Sequence, residues 1–206
     1  MYKNRLNLRD VIAIAIFLVG SATMFAQETG VVINGVKWAT RNVDTPGTFA
    51  EKPESPGMFY QWNRITAWTT IGNIWATTGN LSDWDSSNPN GTIWEKSNDP
   101  SPAGWRLPTF EEIEQLLDKV KVDNEFVNVN GVRGNRFTDK VTGNSIFMPF
   151  VGCIDGQSGS LEASVSIYWS STPMGDNMRT LVLAIGLTNK GNSQRKNGLL
   201  VRCVTE

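Results

Sequence analysis

Histidine is absent from all 206 residues, and cysteine occurs only twice, at Cys153 and Cys203. The first absence excludes Ser-His-Asp and Cys-His catalysis, histidine-ligated metals and the commonest general base near neutral pH. Neither sign of charge is in excess: 19 basic residues meet 20 acidic ones, for a net charge of −1. Nucleic acid is held chiefly by concentrated positive charge, so no nucleic-acid partner is expected. Long apolar runs are missing as well. Val11–Val19 is an unbroken run of nine, well short of the roughly 20 residues that span a bilayer. Tryptophan, by contrast, is abundant, with eight residues in a chain that is 40% hydrophobic and 19% charged. That balance is ordinary for a globular protein, and the length predicts a single domain.

Residues 1–26 have the pattern of a secretory signal peptide. Lys3, Arg5 and Arg9 form a positive start, Val11–Val19 an apolar centre, and Gly20, Ser21 and Ala22 a run of small residues. Cleavage is expected after Ala26, with Ala22 as the alternative, which makes 27–206 the mature domain without an integral membrane segment. No cysteine stands near the cleavage site to carry a lipid. An exported chain with two cysteines in apolar surroundings, SIFMPFVGC and GLLVRCV, predicts one disulfide between Cys153 and Cys203.

The mature chain reads mainly as strands. Asn34-Gly35 lies between Val31-Val32-Ile33 and Val36-Lys37-Trp38, and Asn130-Gly131 between Val127-Asn128-Val129 and Val132. Asn-Gly between apolar runs marks a type I′ hairpin turn, where both central residues need positive φ. Further strands are predicted at 145–151, 167–171, 180–185 and 199–204. One helix is predicted from Thr109: Thr109 and Glu112 have capping-box spacing, and Ile113, Leu116, Leu117 and Val120 follow at i, i+3, i+4 and i+7. Glu111, Glu112 and Glu114 near its start suit the helix dipole and need no catalytic role. Residues 67–98 differ in texture, rich in Asn, Ser, Thr and Gly yet holding Trp68, Trp75, Trp84 and Trp94. The indoles predict a long loop packed onto the domain.

Several blocks resemble one family. The run Asn34-Gly35-Val36-Lys37-Trp38-Ala39-Thr40-Arg41-Asn42-Val43 is similar to the opening of the Fibrobacter succinogenes major paralogous domain, common in exported Bacteroidetes proteins. Tyr60-Gln61-Trp62-Asn63-Arg64, Asn98-Asp99-Pro100 and Gly104-Trp105-Arg106-Leu107-Pro108-Thr109 follow in order. Tyr168-Trp169-Ser170-Ser171-Thr172 and Val201-Arg202-Cys203-Val204 complete the set. The resemblance implies an α+β, C-type-lectin-like fold: small antiparallel sheets, one main helix, paired N- and C-terminal strands and a long loop region. It implies no catalytic residues. Ser101 stands where many relatives have a cysteine, which implies that a bridge from that position to the one matching Cys203 is lost here. Trp38, Trp62, Trp105 and Trp169 are expected in the core with each indole N–H on a backbone partner.

Candidate chemistry is sparse. Asp83, Asp85, Ser87, Asn88 and Asn90 cluster oxygen side chains as calcium prefers, but an EF-hand register fails, with Asn88 at the glycine position and Trp94 in place of the final Glu. No metal or cofactor is expected. Ser193-Gln194-Arg195-Lys196 has the S-x-x-K spacing of serine acyl-enzymes, yet lies in a polar stretch without the companion motifs. The expectation is therefore an exported, non-enzymatic binding or adhesion module at the cell surface, its partner an extracellular glycan or protein. The candidate ligand-binding residues are Trp84, Trp94, Asp83, Asp85 and Asn88, with at least one of the two indoles exposed for stacking. The alternative is a structural subunit of a surface layer or filament.

Overall fold

The computed structural model describes residues 27–69 and 84–206; the expected leader, Trp75 and Asp83 lie outside them. Strands β1 (Val31–Ile33) and β2 (Val36–Trp38) form a hairpin whose turn has φ 45° at Asn34 and 82° at Gly35. After β3 (Phe59–Tyr60), β4 (Ala67–Trp68) and β5 (Trp105–Arg106) comes helix α1 (Phe110–Leu116). A first long hairpin joins β6 (Val122–Val129) to β7 (Val132–Asp139), with φ 51° at Asn130 and 87° at Gly131, and β8 (Ser145–Pro149) adds to β7. Short strands β9 (Cys153–Ile154) and β10 (Leu161–Glu162) pair with each other. A second long ribbon runs β11 (Ser166–Met174), β12 (Asn177–Ala184) and β13 (Leu187–Gln194), and β14 (Val204–Thr205) closes between β2 and β5.

The expected α+β, C-type-lectin-like class is corrected by this architecture. The described residues are 6% helical and 42% strand, a sheet-rich and helix-poor fold of small antiparallel sheets. Two local causes account for the difference. The helix begins as read, with Thr109 and Glu112 completing both halves of a capping box, but stops after two turns. Asp118 accepts the Val120 N–H at 2.9 Å, and its carbonyl accepts from Lys121 and Val122. This turn leaves Val120 83% exposed rather than on the apolar stripe. Conversely, the polar stretches 122–139 and 177–194 are full hairpins, because strand pairing satisfies the backbone whatever the side chains are.

Two buried clusters hold the sheets together. One packs α1 (Phe110, Ile113, Leu116) against Trp38, Phe137 and Leu181. The other gathers Tyr60, Trp62, Trp105 and Trp169 with Cys153 and Cys203. The four block tryptophans are all buried, as read. Their N–H groups are not all satisfied: Trp169 donates to Tyr60 O at 2.7 Å, whereas Trp38 and Trp62 find no hydrogen-bond partner among the described residues. Arg202 is fully buried, and no carboxylate among the described residues contacts it. Its Nε donates to Asn42 Oδ1 at 2.9 Å and Nη1 to Ala39 O at 3.2 Å.

Candidate binding site

The 84–98 segment is held from below by the Tyr60–Arg64 block. Gln61 Nε2 donates to Asp85 O at 2.6 Å, and the Arg64 guanidinium pairs with the Asp85 carboxylate at 2.5 Å. Asn63, in the left-handed region at φ 55°, donates to Asn90 O at 3.3 Å and accepts from Glu95 N at 2.8 Å. The polar residues of that block thus work as loop fasteners. Asp85 also accepts the Ser87 N–H at 2.9 Å, and the Ser87 hydrogen bonds, helped by Arg64, hold its carboxyl below the usual range.

Both candidate indoles are half-buried, so the expected exposed stacking ring is not present at either. Trp84 Nε1 donates to Gly156 O at 3.0 Å, and its ring lies 5.0 Å from that of Trp68. Two glycines let it lie flat on backbone: a Cβ on Gly198 would come within 2.8 Å of Trp84 Cη2, and one on Gly159 within 3.0 Å of Trp84 Cβ. Trp94 Nε1 donates to Asn98 O at 3.0 Å, and its ring stands edge-on to Trp62 at 5.7 Å and Trp169 at 6.2 Å. Asn88 is exposed. Among the described residues no three acidic or sulfur side chains gather as a metal site.

The expected disulfide is also corrected. Cys153 and Cys203 are both free and buried. Cys203 Sγ instead donates to Ser101 Oγ at 3.1 Å. Burial pushes both thiols up, Cys153 to about 12, so neither is a thiolate nucleophile near neutral pH.

A concavity among the described residues lies elsewhere. A groove of about 600 Å³ runs between the β6–β7 hairpin, the end of α1 and the β12–β13 turn. Its floor carries Val122, Asn124 and Phe126 from alternate positions of β6, with Asn135 of β7 opposite Phe126 in register. Leu187, Thr188 and Lys190 of β13 form one wall, and Leu116 and Leu117 another. Asn135 ties the two ribbons together: Nδ2 donates to Asn124 Oδ1 at 2.8 Å and to Thr188 Oγ1 at 3.0 Å. Its Oδ1 is buried and has no partner among the described residues. An orphaned buried acceptor costs about 1–3 kcal/mol and calls for an explanation in a native fold. At the mouth Lys190 pairs with Glu114 at 2.7 Å, linking β13 to α1. Phe126 and Leu187 keep 39% and 54% of their surface exposed, which gives the rim an apolar face.

Sequence reasoning missed this groove because its parts come from 114–126, Asn135 and 186–190, which only the docking of two hairpins brings together. One local signal exists. Asn135 shares a β7 face with Phe137, so it is a polar residue in an inward position. No family model, curated protein or solved structure matches the chain. No helix among the described residues is long and apolar enough to cross a membrane.

Proposed function

We propose that this chain is an exported, non-enzymatic binding module of the cell surface or extracellular space, and that the β6–β7/β13 groove is where it binds. The groove carries the reading: its volume of about 600 Å³ falls in the roughly 300–1,000 Å³ range of small-molecule sites, and it mixes an apolar rim with a few convergent polar groups. The carboxylates around it are engaged, Glu114 by Lys190 and Asp123 by Lys140 at 3.1 Å, which argues against an acid–base pair. The leader-like pattern of residues 1–26 supports export. Membership of the Fibrobacter succinogenes major paralogous family is part of the same proposal. The Ser101–Cys203 contact supports it, because those are the positions that the resemblance pairs. The test is an array of extracellular glycans and peptides probed with the purified chain and with Asn124→Trp, which fills the groove from an exposed position. Saturable binding that Asn124→Trp abolishes while the chain remains folded is the expected result. Binding indifferent to Asn124→Trp would remove the groove from the reading.

A second reading, a structural assembly subunit, has one observation in its favour. β6 and β13 are eight-residue edge strands, and Ile185 at the β12–β13 turn is 66% exposed. Unpaired edges are templates for a further chain. Lys190 blunts β13, and its backbone N–H is already turned onto Asn189 Oδ1 at 2.8 Å. Sedimentation of the purified chain separates the two readings: concentration-dependent oligomers favour assembly, a monomer favours the binding module.

A further inference from the structure

We infer that the outer edge of β6 is a docking site for an extended segment of a partner protein, added as a further strand and carrying an acidic residue beside Lys119. The inference rests on the binding-module reading above and names the class of partner. Residues facing each other in an antiparallel pair alternate between bonded and non-bonded pairs. Arg133 of β7 turns its C=O away from β6, to the Phe150 N–H at 2.7 Å, and it stands opposite Asn128. Asn128 and, by alternation, Phe126 and Asn124 therefore aim both N–H and C=O outward from the sheet. Val122, next in that series, has the same phase: its N–H leaves the ladder for Asp118 O at 2.8 Å. The backbone groups that Asn124, Phe126 and Asn128 turn outward meet no partner among the described residues, and all three residues are exposed.

This edge is open where that of β13 is blunted. On β13 the Lys190 N–H is taken by Asn189 Oδ1 at 2.8 Å, and the Gln194 C=O by the Asn197 N–H at 3.0 Å. β6 holds no proline, lysine or bulge along its unbroken register, and these are devices that keep an edge from pairing. Side chains of the same alternate series, Val122, Asn124 and Phe126, line the groove. An added strand thus lays every second side chain over the groove, where Phe126 and Leu187 offer apolar surface. Charge sets the rest of the partner's chemistry. Lys119 borders the groove, is exposed and enters no ion pair among the described residues, whereas Lys190 and Lys140 are each taken by a carboxylate. An acid at the Val122 end of the incoming strand answers it. On the opposite face Glu125 is also without an ion pair among the described residues, so a basic residue across from it adds to the fit. A second copy of β6 fits worse. Over the groove it presents Asn124, Phe126 and Asn128, with no acid for Lys119, and on the far face it doubles Asp123 and Glu125.

The experiment pans a phage-displayed library of random heptapeptides against the purified chain and titrates the selected peptides into the ¹⁵N-labelled chain. The expected peptides alternate apolar residues and end in Asp or Glu. At saturation they shift the backbone amides of Asn124, Phe126 and Asn128 and slow their exchange with solvent. N-methylation of the peptide residues that face β6 is expected to abolish binding, and methylation of the alternate residues to leave it. Asn128→Pro removes one docking N–H that the β7 ladder does not use, and is expected to weaken binding about tenfold. Lys119→Glu, at an exposed site, is expected to weaken acid-ended peptides about tenfold and to bind lysine-ended versions instead. Should Asn128→Pro fail to fold, the N-methyl series decides, since it leaves the protein unaltered. An empty selection, or peptides that shift other amides, overturns strand docking, while glycan binding that Asn124→Trp abolishes would keep the groove as a binding site. Docking indifferent to Lys119→Glu overturns the acidic partner. Dimers that form with concentration and shift the same three amides without peptide overturn the separate partner in favour of a second copy.

Discussion

The 84–98 loop and the β6–β7/β13 groove are constructed in opposite ways. In the loop, aromatic and polar atoms turn inward: both indole N–H groups donate to backbone carbonyls, Asp85 is held by Arg64 and Ser87, and Asn63 fastens two points of the chain. In the groove, apolar side chains stay partly exposed and a buried amide oxygen stays unpaired. A tryptophan-rich polar loop looks like a recognition surface in one dimension, yet here its indoles replace a core that a stretch poor in aliphatic residues cannot otherwise make. The groove is inconspicuous in one dimension and open in three.

The strongest way to break this contrast is to truncate a loop indole. Trp84→Ala is expected to cost about 3 kcal/mol, the low end for a large aromatic because the ring is half-buried. Urea unfolding measures it, and a loss below about 1 kcal/mol, the ordinary size for an average substitution, would mean that the loop is not anchored by its indole. Next in size is Ser101→Cys. Its side chain already meets Cys203 Sγ, so air oxidation is expected to remove two hydrogens by mass and stabilise the chain by about 2–4 kcal/mol. Retention of two free thiols after oxidation would show that the pair cannot reach bonding geometry.

Leu187→Ser sharpens the groove side. More than half of this side chain is already in water, so stability is expected to change by less than about 0.5 kcal/mol, while occupancy of the groove falls. A large loss of stability would recast Leu187 as core. The smallest effect concerns pH. Asp139 accepts backbone N–H groups from Thr142 and Asn34, with Val141 adding a third, and these push its carboxyl down to about 2. A carboxyl lower in the folded state than its usual value near 3.9 contributes stability above that value and loses it as pH falls toward 2. The acid limb of the stability curve between about pH 4 and pH 2 is therefore expected to flatten in Asp139→Asn. An unchanged slope would show that the β1–β2 turn is not tied down through this carboxylate.

Legibility followed the range of the interaction. The Asn-Gly turns at 34–35 and 130–131 and the Thr109–Glu112 capping box were readable because each is specified by residues within four positions of one another. Burial of Trp38, Trp62, Trp105 and Trp169 was readable from their size and apolar setting. The helix end was not, since Asp118 halts it by a local hydrogen bond that competes with an apolar stripe still running to Val120. Nor was β13: Leu-Thr-Asn-Lys-Gly-Asn-Ser-Gln has too few apolar residues to signal a strand, and it is one because β12 supplies the whole of its ladder. The disulfide expectation used only the apolar company of each cysteine, which predicts burial and says nothing of direction.

By itself, then, the sequence determined the turns, the helix start and the set of side chains large enough to fill a core. Tertiary structure alone decided which polar groups remain for a partner. Satisfaction of a hydrogen bond depends on what arrives from the other side: Arg64 reaches Asp85 across 21 residues and ties the loop down, whereas Thr188 reaches Asn135 across 53 and leaves its buried oxygen unpaired among the described residues. Donor and acceptor types are written along the chain, but their partners are assigned only when the hairpins dock.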